Sequence, residues 1–220
     1  MIKATYIDHM GNDLTIVNSA RVSFGKKSDW IQRVYSGEPQ LLPNKDIKLI
    51  HYLAKHNHKS PFNHVFTTFH VKAPIFVARQ LQKHEYMPWN EISRRYVDSE
   101  PEFYTPDTWR GRSADKKQGS DGEVNLSSKG NAASHSYLHA LQSYATLLDE
   151  GVAPEQARMI LPQTMMTEWY WSGSLQAFAR VCNQRLDDHS QEETRAIAAM
   201  IQEQAMAKFP VSWIALSEQS

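Results

Sequence analysis

One cysteine in 220 residues excludes a disulfide framework and any cysteine-rich zinc module, and a lone thiol suits a reducing compartment. Charge of one sign is also lacking: Lys plus Arg is 24 and Asp plus Glu is 24. No global field therefore holds nucleic acid or an anionic membrane, and any phosphate must be caught by a local cluster. No run approaches the length of uncharged apolar sequence that spans a bilayer. The opening MIKATYIDHM has neither an Arg-rich leader nor a secretory apolar stretch. These absences predict a soluble, cytoplasmic protein that binds neither nucleic acid nor membrane. What is present is an ordinary folding composition, 41% apolar, with 6 Trp and 9 Tyr that point to aromatic-lined pockets or interfaces.

No internal repeat is visible, and the chain reads as a single domain over 1–220. Two stretches break its patterning, near 25–45 and near 111–131. The second, GRSADKKQGSDGEVNLSSKGN, is almost free of apolar residues and reads as an irregular loop. Val65 to Lys72 alternates, with Val65, Thr67, Phe69 and Val71 on one face of a half-buried strand. Pro74 suits a first helical turn, so Ile75 to Lys83 reads as a short helix, which Met87-Pro88-Trp89-Asn90 breaks into a loop. Downstream, Tyr137, Leu141, Tyr144 and Leu148 form a helical core stripe that Gly151 stops. Pro154 to Leu161 is a short helix ended by Pro162, and Leu175, Phe178, Cys182 and Arg185 share one face of another. Ser190 with Glu193 has capping-box spacing ahead of Ile197, Met200 and Ile201, and Pro210 stops that helix. Strand signals early and helices late indicate an α+β fold.

Several residue sets could carry chemistry. His56-Asn57-His58 with His64 offers imidazoles to a metal, but HExxH spacing is absent and no carboxylate stands at ligand spacing, so no metal site is expected. A hydrolase triad lacks GxSxG. Cys182 lies on an apolar helical face, where a lone cysteine is a small core residue. The most unusual run is RQLQKHEYMPWNEISRRY, Arg79 to Tyr96. It sets Arg79, Lys83, His84, Arg94 and Arg95 beside Gln80, Asn90, Glu91 and Ser93, with Tyr86 and Trp89 between. Cationic forks, amides and aromatic faces are what a phosphate and a planar base require. Arg158 and Asn183-Gln184-Arg185 add two further cationic points.

Together these segments resemble the flavin-dependent thymidylate synthases. That family's run R-H-R-x-x-S-x-N-x-x-S-x-R-Y aligns with Lys83-His84-Glu85 through Asn90, Ser93, Arg95 and Tyr96. In order along the chain there also stand Met10 to Leu14, Ala20 to Phe24, His58 to Phe62, Phe69 to Gln80, Ala157-Arg158 with Leu161-Pro162, and Asn183-x-Arg185 followed by His189 and Gln191. The resemblance implies an α+β domain with a central, mainly antiparallel sheet and flanking helices. It also implies a homotetramer with active sites between subunits. The implied reaction is reductive methylation of dUMP to dTMP, with methylenetetrahydrofolate as one-carbon donor, FAD as redox cofactor, NADPH as reductant and no cysteine nucleophile.

By position, the resemblance brings Gln80, Lys83, Glu91, Ser93, Arg94, Arg95, Arg158 and Arg185 to dUMP, with Arg185 as the catalytic cation at the pyrimidine edge. It brings Ser60, Lys83, His84, Glu85 and Glu91 to FAD, with Ser23, Ser174 and Arg180 as further candidates. Lys83, Glu85 and Pro88 depart from the motif, as do Ser174 and Gln176 where relatives often carry Asn and Arg. The dUMP side therefore transfers more directly than the FAD side. Glu85 is expected to pair with Arg94. The rival readings are a nucleotide-binding relative that has lost flavin and catalysis, and an RNA-binding module built on Trp89 and Arg94-Arg95, which zero net charge opposes.

Overall fold

The computed structural model describes residues 1–31, 41–97, 99–114, 119–126 and 132–218. Two nine-residue strands organise it: β2 (Phe66–Pro74) and β6 (Met166–Ser174), antiparallel from Phe66↔Ser174 to Pro74↔Met166. The expected alternation holds in β2, where Thr67, Phe69 and Val71 are buried. In β6 the buried positions are Met166, Thr167, Trp169, Trp171 and Gly173, while Tyr170 faces outward. β1 (Lys3–Met10) pairs with β2, and β3 (Trp89–Glu91) pairs with β6, giving the antiparallel order β1-β2-β6-β3.

One sheet face is apolar and the other polar. Phe69 and Trp171 pack edge-on against Phe178, with ring centroids 5.0 and 5.1 Å apart. Val181, Ile197 and Ile201 complete this core, each fully buried. Burying side chains of this size stabilises the fold by about 1.5–3 kcal/mol apiece. On the outer face Thr68 and Ser172 hydroxyls share a 2.8 Å hydrogen bond, and His70 lies 3.3 Å from the Glu168 carboxylate.

Both central strands run straight into helices on the core side: β2 into α3 (Ile75–Leu81), β6 into α6 (Leu175–Arg185). Around them stand α1 (Asp13–Arg21), α2 (Asn44–Lys55), α7 (Glu192–Lys208) and α8 (Pro210–Ser217). No helix among the described residues is long and apolar enough to cross a membrane.

Four expectations are corrected. The Met87 to Asn90 loop is half strand: Trp89 begins β3, because its ring stacks on Trp169 at 4.2 Å while its backbone pairs with Trp171. The 111–131 stretch carries a hairpin, β4 (Arg110–Arg112) with β5 (Ser120–Glu123), anchored by Arg110 rather than by apolar residues. The Ser190–Glu193 capping box is not made: Ser190 donates to the Gln184 carbonyl, and Glu193 is taken by Arg110 and Tyr104. In α4 (Ala132–Asp149) only Tyr144 of the expected core stripe is buried, since the helix lies on α5 (Pro154–Ala157) rather than on the sheet. The expectations for residues 32–40, 115–118 and 127–131 lie outside the described residues.

The chain closes through a buried carboxylate. Asp13, in the first turn of α1, accepts from the Val211 and Ser212 amides at the start of α8, each at 3.1 Å. Burial raises its pKa, and these bonds offset part of that cost. Asp13→Ala is expected to cost about 1–2 kcal/mol, because the Ser212 amide is left buried without a partner. Tm should fall by roughly 2–8 °C in a chain of this size. An unchanged Tm would show that apolar packing alone seats α8.

Candidate active site

Because β2 and β6 are antiparallel, α3 and α6 start at opposite ends of the strand pair. Their lengths, about 10 and 16 Å, sum to slightly less than the roughly 30 Å of nine extended residues. Their C-terminal ends meet. Arg185, the last residue of α6, donates Nη2 to the Gln80 carbonyl in the last turn of α3, at 2.9 Å. A cation there satisfies a helix-terminal carbonyl and the negative end of the α3 dipole. Arg185 Nε also points at His84 Nε2, 3.1 Å away.

Burial, helped by that second contact, sets the protonation of His84. Burial, then the charges of Arg185 and Arg180, lower its pKa to about 4. The imidazole is therefore neutral near pH 7, with Nε2 as acceptor and the remaining proton on Nδ1. Burial lowers the Arg185 pKa, but a guanidinium stays charged at physiological pH. The result is a fixed cation at the wall of a cleft of about 670 Å³, lined also by Gln80, Lys83, Asn183, His189 and Gln191.

A close approach to β6 helps to hold the run after α3. Met87 packs over Gly173 of β6, where an added Cβ would lie 2.7 Å from Met87 Cε. The turn needed to deliver it puts Tyr86 at φ 61°, a left-handed conformation costing about 1–2 kcal/mol in a non-glycine residue. The same turn leaves Lys83, Glu85 and Tyr86 exposed and His84 partly buried.

The remaining expected residues fall elsewhere. Glu91, Arg94 and Arg158 line a second cleft of about 320 Å³ with Arg79, Met159 and Thr167. Glu91 is oriented there by Thr167 Oγ1 at 2.6 Å and Trp89 Nε1 at 3.0 Å. Ser93 Oγ accepts from the Arg95 amide at 3.3 Å, and the Arg95 guanidinium lies over the Tyr96 ring. Arg94 donates to the Ser99 carbonyl and makes no ion pair with Glu85, so that expected pair is absent. Gln80, Lys83 and Arg185 are thus gathered in one cleft, and Glu91, Arg94 and Arg158 in another.

Ser23 and Ser60 line a third cleft, of about 910 Å³, with Arg21, Lys26, Tyr52 and His58. Arg21 is committed to buried Asp46, which leaves Lys26 and Lys59 as its unpaired cations among the described residues. A fourth cleft joins it to the Arg185 cleft: it shares His58 and Lys59 with one, Asn183 and Gln184 with the other, and carries Arg180. Arg180 donates to the Glu85 carbonyl at 3.2 Å. Ser174 is placed differently, as N-cap of α6, accepting from the Ala177 amide and donating to Asn63. Cations along these joined clefts, with the Tyr52 ring stacked beside His58, are donors of the kind an extended dinucleotide such as FAD requires.

Thr194, Arg110 and Tyr104, which brace this site, are not singled out in the sequence, and Trp89 and Gln191 are named there without this bracing role. Thr194 and Gln191 grip the Gln80 side chain, and Trp89 stacks behind Glu91. Arg110 and Tyr104 converge on buried Glu193, at 2.6 and 3.3 Å. Burial acts to raise the Glu193 pKa, but Arg110 outweighs it and holds the carboxylate ionised; the same carboxylate, after burial, helps push the Tyr104 phenol up to about 12. The signal available for Glu193 was its helix-start position, which points equally well to a cap.

The chain matches the family model described as thymidylate synthase complementing protein over residues 5–211. It is 38% identical over 213 residues to a flavin-dependent thymidylate synthase of Thermus thermophilus, covering 96% of this chain and 74% of that protein. To the flavin-dependent thymidylate synthase of Thermosipho africanus it is 38% identical over 198 residues, covering 89% and 82%. Among solved structures it is similar to the UMP/dUMP methylase PolB from Streptomyces cacaoi bound with 5-Br dUMP. That likeness has a TM-score of 0.81 and 28% identity, over 99% of this chain and 95% of that one.

His84 makes stability depend on pH with a definite sign. Its folded pKa lies below the ordinary 6.5, so the unfolded chain binds the extra proton first. Its contribution is unchanged above about pH 6.5 and turns destabilising as pH falls from there towards 4. Replacing it by His84→Gln should flatten the Tm–pH curve in that window relative to the parent, whose carboxylates are otherwise the same. Parallel curves would mean that His84 is not held neutral by burial and Arg185.

Proposed function

The chain belongs to the family of thymidylate synthase complementing proteins, and from that premise we propose that it is a flavin-dependent thymidylate synthase. Its reaction is the reductive methylation of dUMP to dTMP, with methylenetetrahydrofolate donating the one-carbon unit. The observation that carries this reading is Arg185, a cation fixed by the Gln80 carbonyl and by a neutral His84 at the wall of a cleft. Set against a uracil edge, a fixed guanidinium favours the N3-deprotonated ring and raises electron density at C5, the carbon that receives the new bond. Water-poor surroundings strengthen that effect.

Cysteine chemistry has no support here. Cys182 is the chain's only cysteine, is fully buried, and its thiol pKa is pushed up by burial. Its Sγ faces the Ala198 carbonyl at 3.5 Å rather than any cleft. A bound flavin, reduced by NADPH, would supply the two electrons that convert the transferred methylene into a methyl group. Ser23, Lys26, Ser60, Lys59 and Arg180 would hold it along the joined clefts, and Lys83 would stand between flavin and nucleotide. Glu85 is exposed and would add a like charge beside a diphosphate, so it is assigned no part in holding one.

The nucleotide set is split between two clefts of one chain, and a second copy of the chain unites it. In this reading Gln80, Lys83 and Arg185 of one copy face Glu91, Arg94 and Arg158 of another within a homotetramer. Large side chains stand exposed in the same segments: Tyr86 is 89% exposed, Tyr96 78%, and Met159, which lines the second cleft, 77%. Surfaces of this kind are covered in assemblies.

Two tests follow. Incubating the protein anaerobically with dUMP, methylenetetrahydrofolate, FAD and NADPH should yield dTMP, and purified protein should show flavin absorbance. Nucleotide binding with neither would favour the non-catalytic relative. Arg158→Ala and Arg185→Ala should each lower turnover by about a hundredfold, the size of a lost charge contact worth roughly 3 kcal/mol. Mixing the two after dissociation and reassembly should restore activity, because hybrid sites regain both arginines. No recovery in verified hybrids would place both arginines in sites built from one copy.

A further inference from the structure

The Gln80 side chain is held on three sides by its own fold. Its Nε2 donates to Gln191 Oε1 at 2.6 Å and reaches back to the Phe76 carbonyl at 3.4 Å. Its Oε1 accepts from Thr194 Oγ1 at 3.1 Å. Gln191 is the N-cap of α7, and Thr194 lies in its first turn with no exposed surface. A hydroxyl can rotate to donate or accept, but an amide that has given its N–H to Gln191 presents only oxygen to Thr194. The pair therefore fixes which end of the amide faces which way.

We propose that Thr194 is a positioning residue for the nucleotide site, acting through Gln80. This role for Thr194 rests on the reading above, in which Gln80 lines the dUMP cleft. With both N–H groups directed into the fold, what Gln80 offers a ligand is the second lone pair of Oε1. It reads a donor, an O–H or N–H of the nucleotide, rather than a phosphate oxygen. The same grip holds the end of α3 against α7, and with it the Gln80 carbonyl that receives Arg185. The turn of α7 that does this is also where Arg110 and Tyr104 converge on Glu193, so the hairpin β4–β5 braces the same point.

Removing the hydroxyl at nearly constant volume isolates the effect. Thr194→Val leaves Gln80 Oε1 without its donor, so the oxygen is no longer aimed from the fold side while Nε2 stays held by Gln191 and Phe76. The dUMP dissociation constant, measured by calorimetry on the flavin-loaded protein, should rise about tenfold. FAD affinity should stay at the parental value, and Thr194→Ser, which keeps the hydroxyl, should recover most of the loss. KM for dUMP should rise more than kcat falls. Parental dUMP affinity in Thr194→Val, or equal losses in Val and Ser, would overturn the proposal. If Thr194→Val folds poorly, Thr194→Ser and Thr194→Ala carry the test, since both lack the methyl group and only Ser keeps the hydroxyl. Equal dUMP affinity in that pair would likewise refute it. Failure of the wider reading looks different: the parent protein itself would then bind no dUMP.

Discussion

The nine-residue antiparallel register of β2 on β6 is the constraint on which the rest depends. It is set by Phe69, Val71, Trp169 and Trp171, which share one buried face, and a slip of one residue would turn a strand's buried pair to solvent. Given that register, the two strands release their helices from opposite ends, and the helices run out of length where Arg185 reaches Gln80. The centre of the site is therefore a product of strand pairing and helix length. Side chains far from any ligand, such as Phe178 wedged between Phe69 and Trp171, place it.

Electrostatics then divide the labour among groups that look alike in sequence. Arg185, Arg110 and Arg21 all touch acceptors, but with different consequences. Arg21 meets the fully buried carboxylate of Asp46 and Arg110 meets Glu193, so both are charge-balanced struts. Arg185 meets a carbonyl and a neutral imidazole, partners that fix its position without cancelling its charge. Of the three, only the last arrangement leaves a net cation facing a cleft, which is what an anionic pyrimidine requires. The other face of the sheet, with Thr68, Ser172, His70 and Glu168, is polar and keeps β2 and β6 wettable on that side.

Much of this was legible in the sequence, and the misses have physical causes. The alternation of β2, the Pro74 helix start and the apolar face of α6 are local patterns, and each formed as read. β6 escaped notice because Trp169-Tyr170-Trp171 is aromatic on both faces, and only burial separates Tyr170 from its neighbours. β3 was hidden by Pro88 and by its length, since its pairing rests on a tryptophan stack made with a distant strand. The capping-box reading failed because Glu193 has a stronger partner in Arg110, 83 residues away. The cationic residues were visible as a set; their division between two clefts was not, because it follows from tertiary placement alone.

That division is the centre of the account, and a crystal structure of the protein with dUMP and FAD bound addresses it most directly. The nucleotide should lie with its pyrimidine against Arg185 and Gln80 of one copy and its phosphate within hydrogen-bond distance of Arg158 from another. A nucleotide whose polar contacts all come from one copy, or whose base lies away from Arg185, would contradict it.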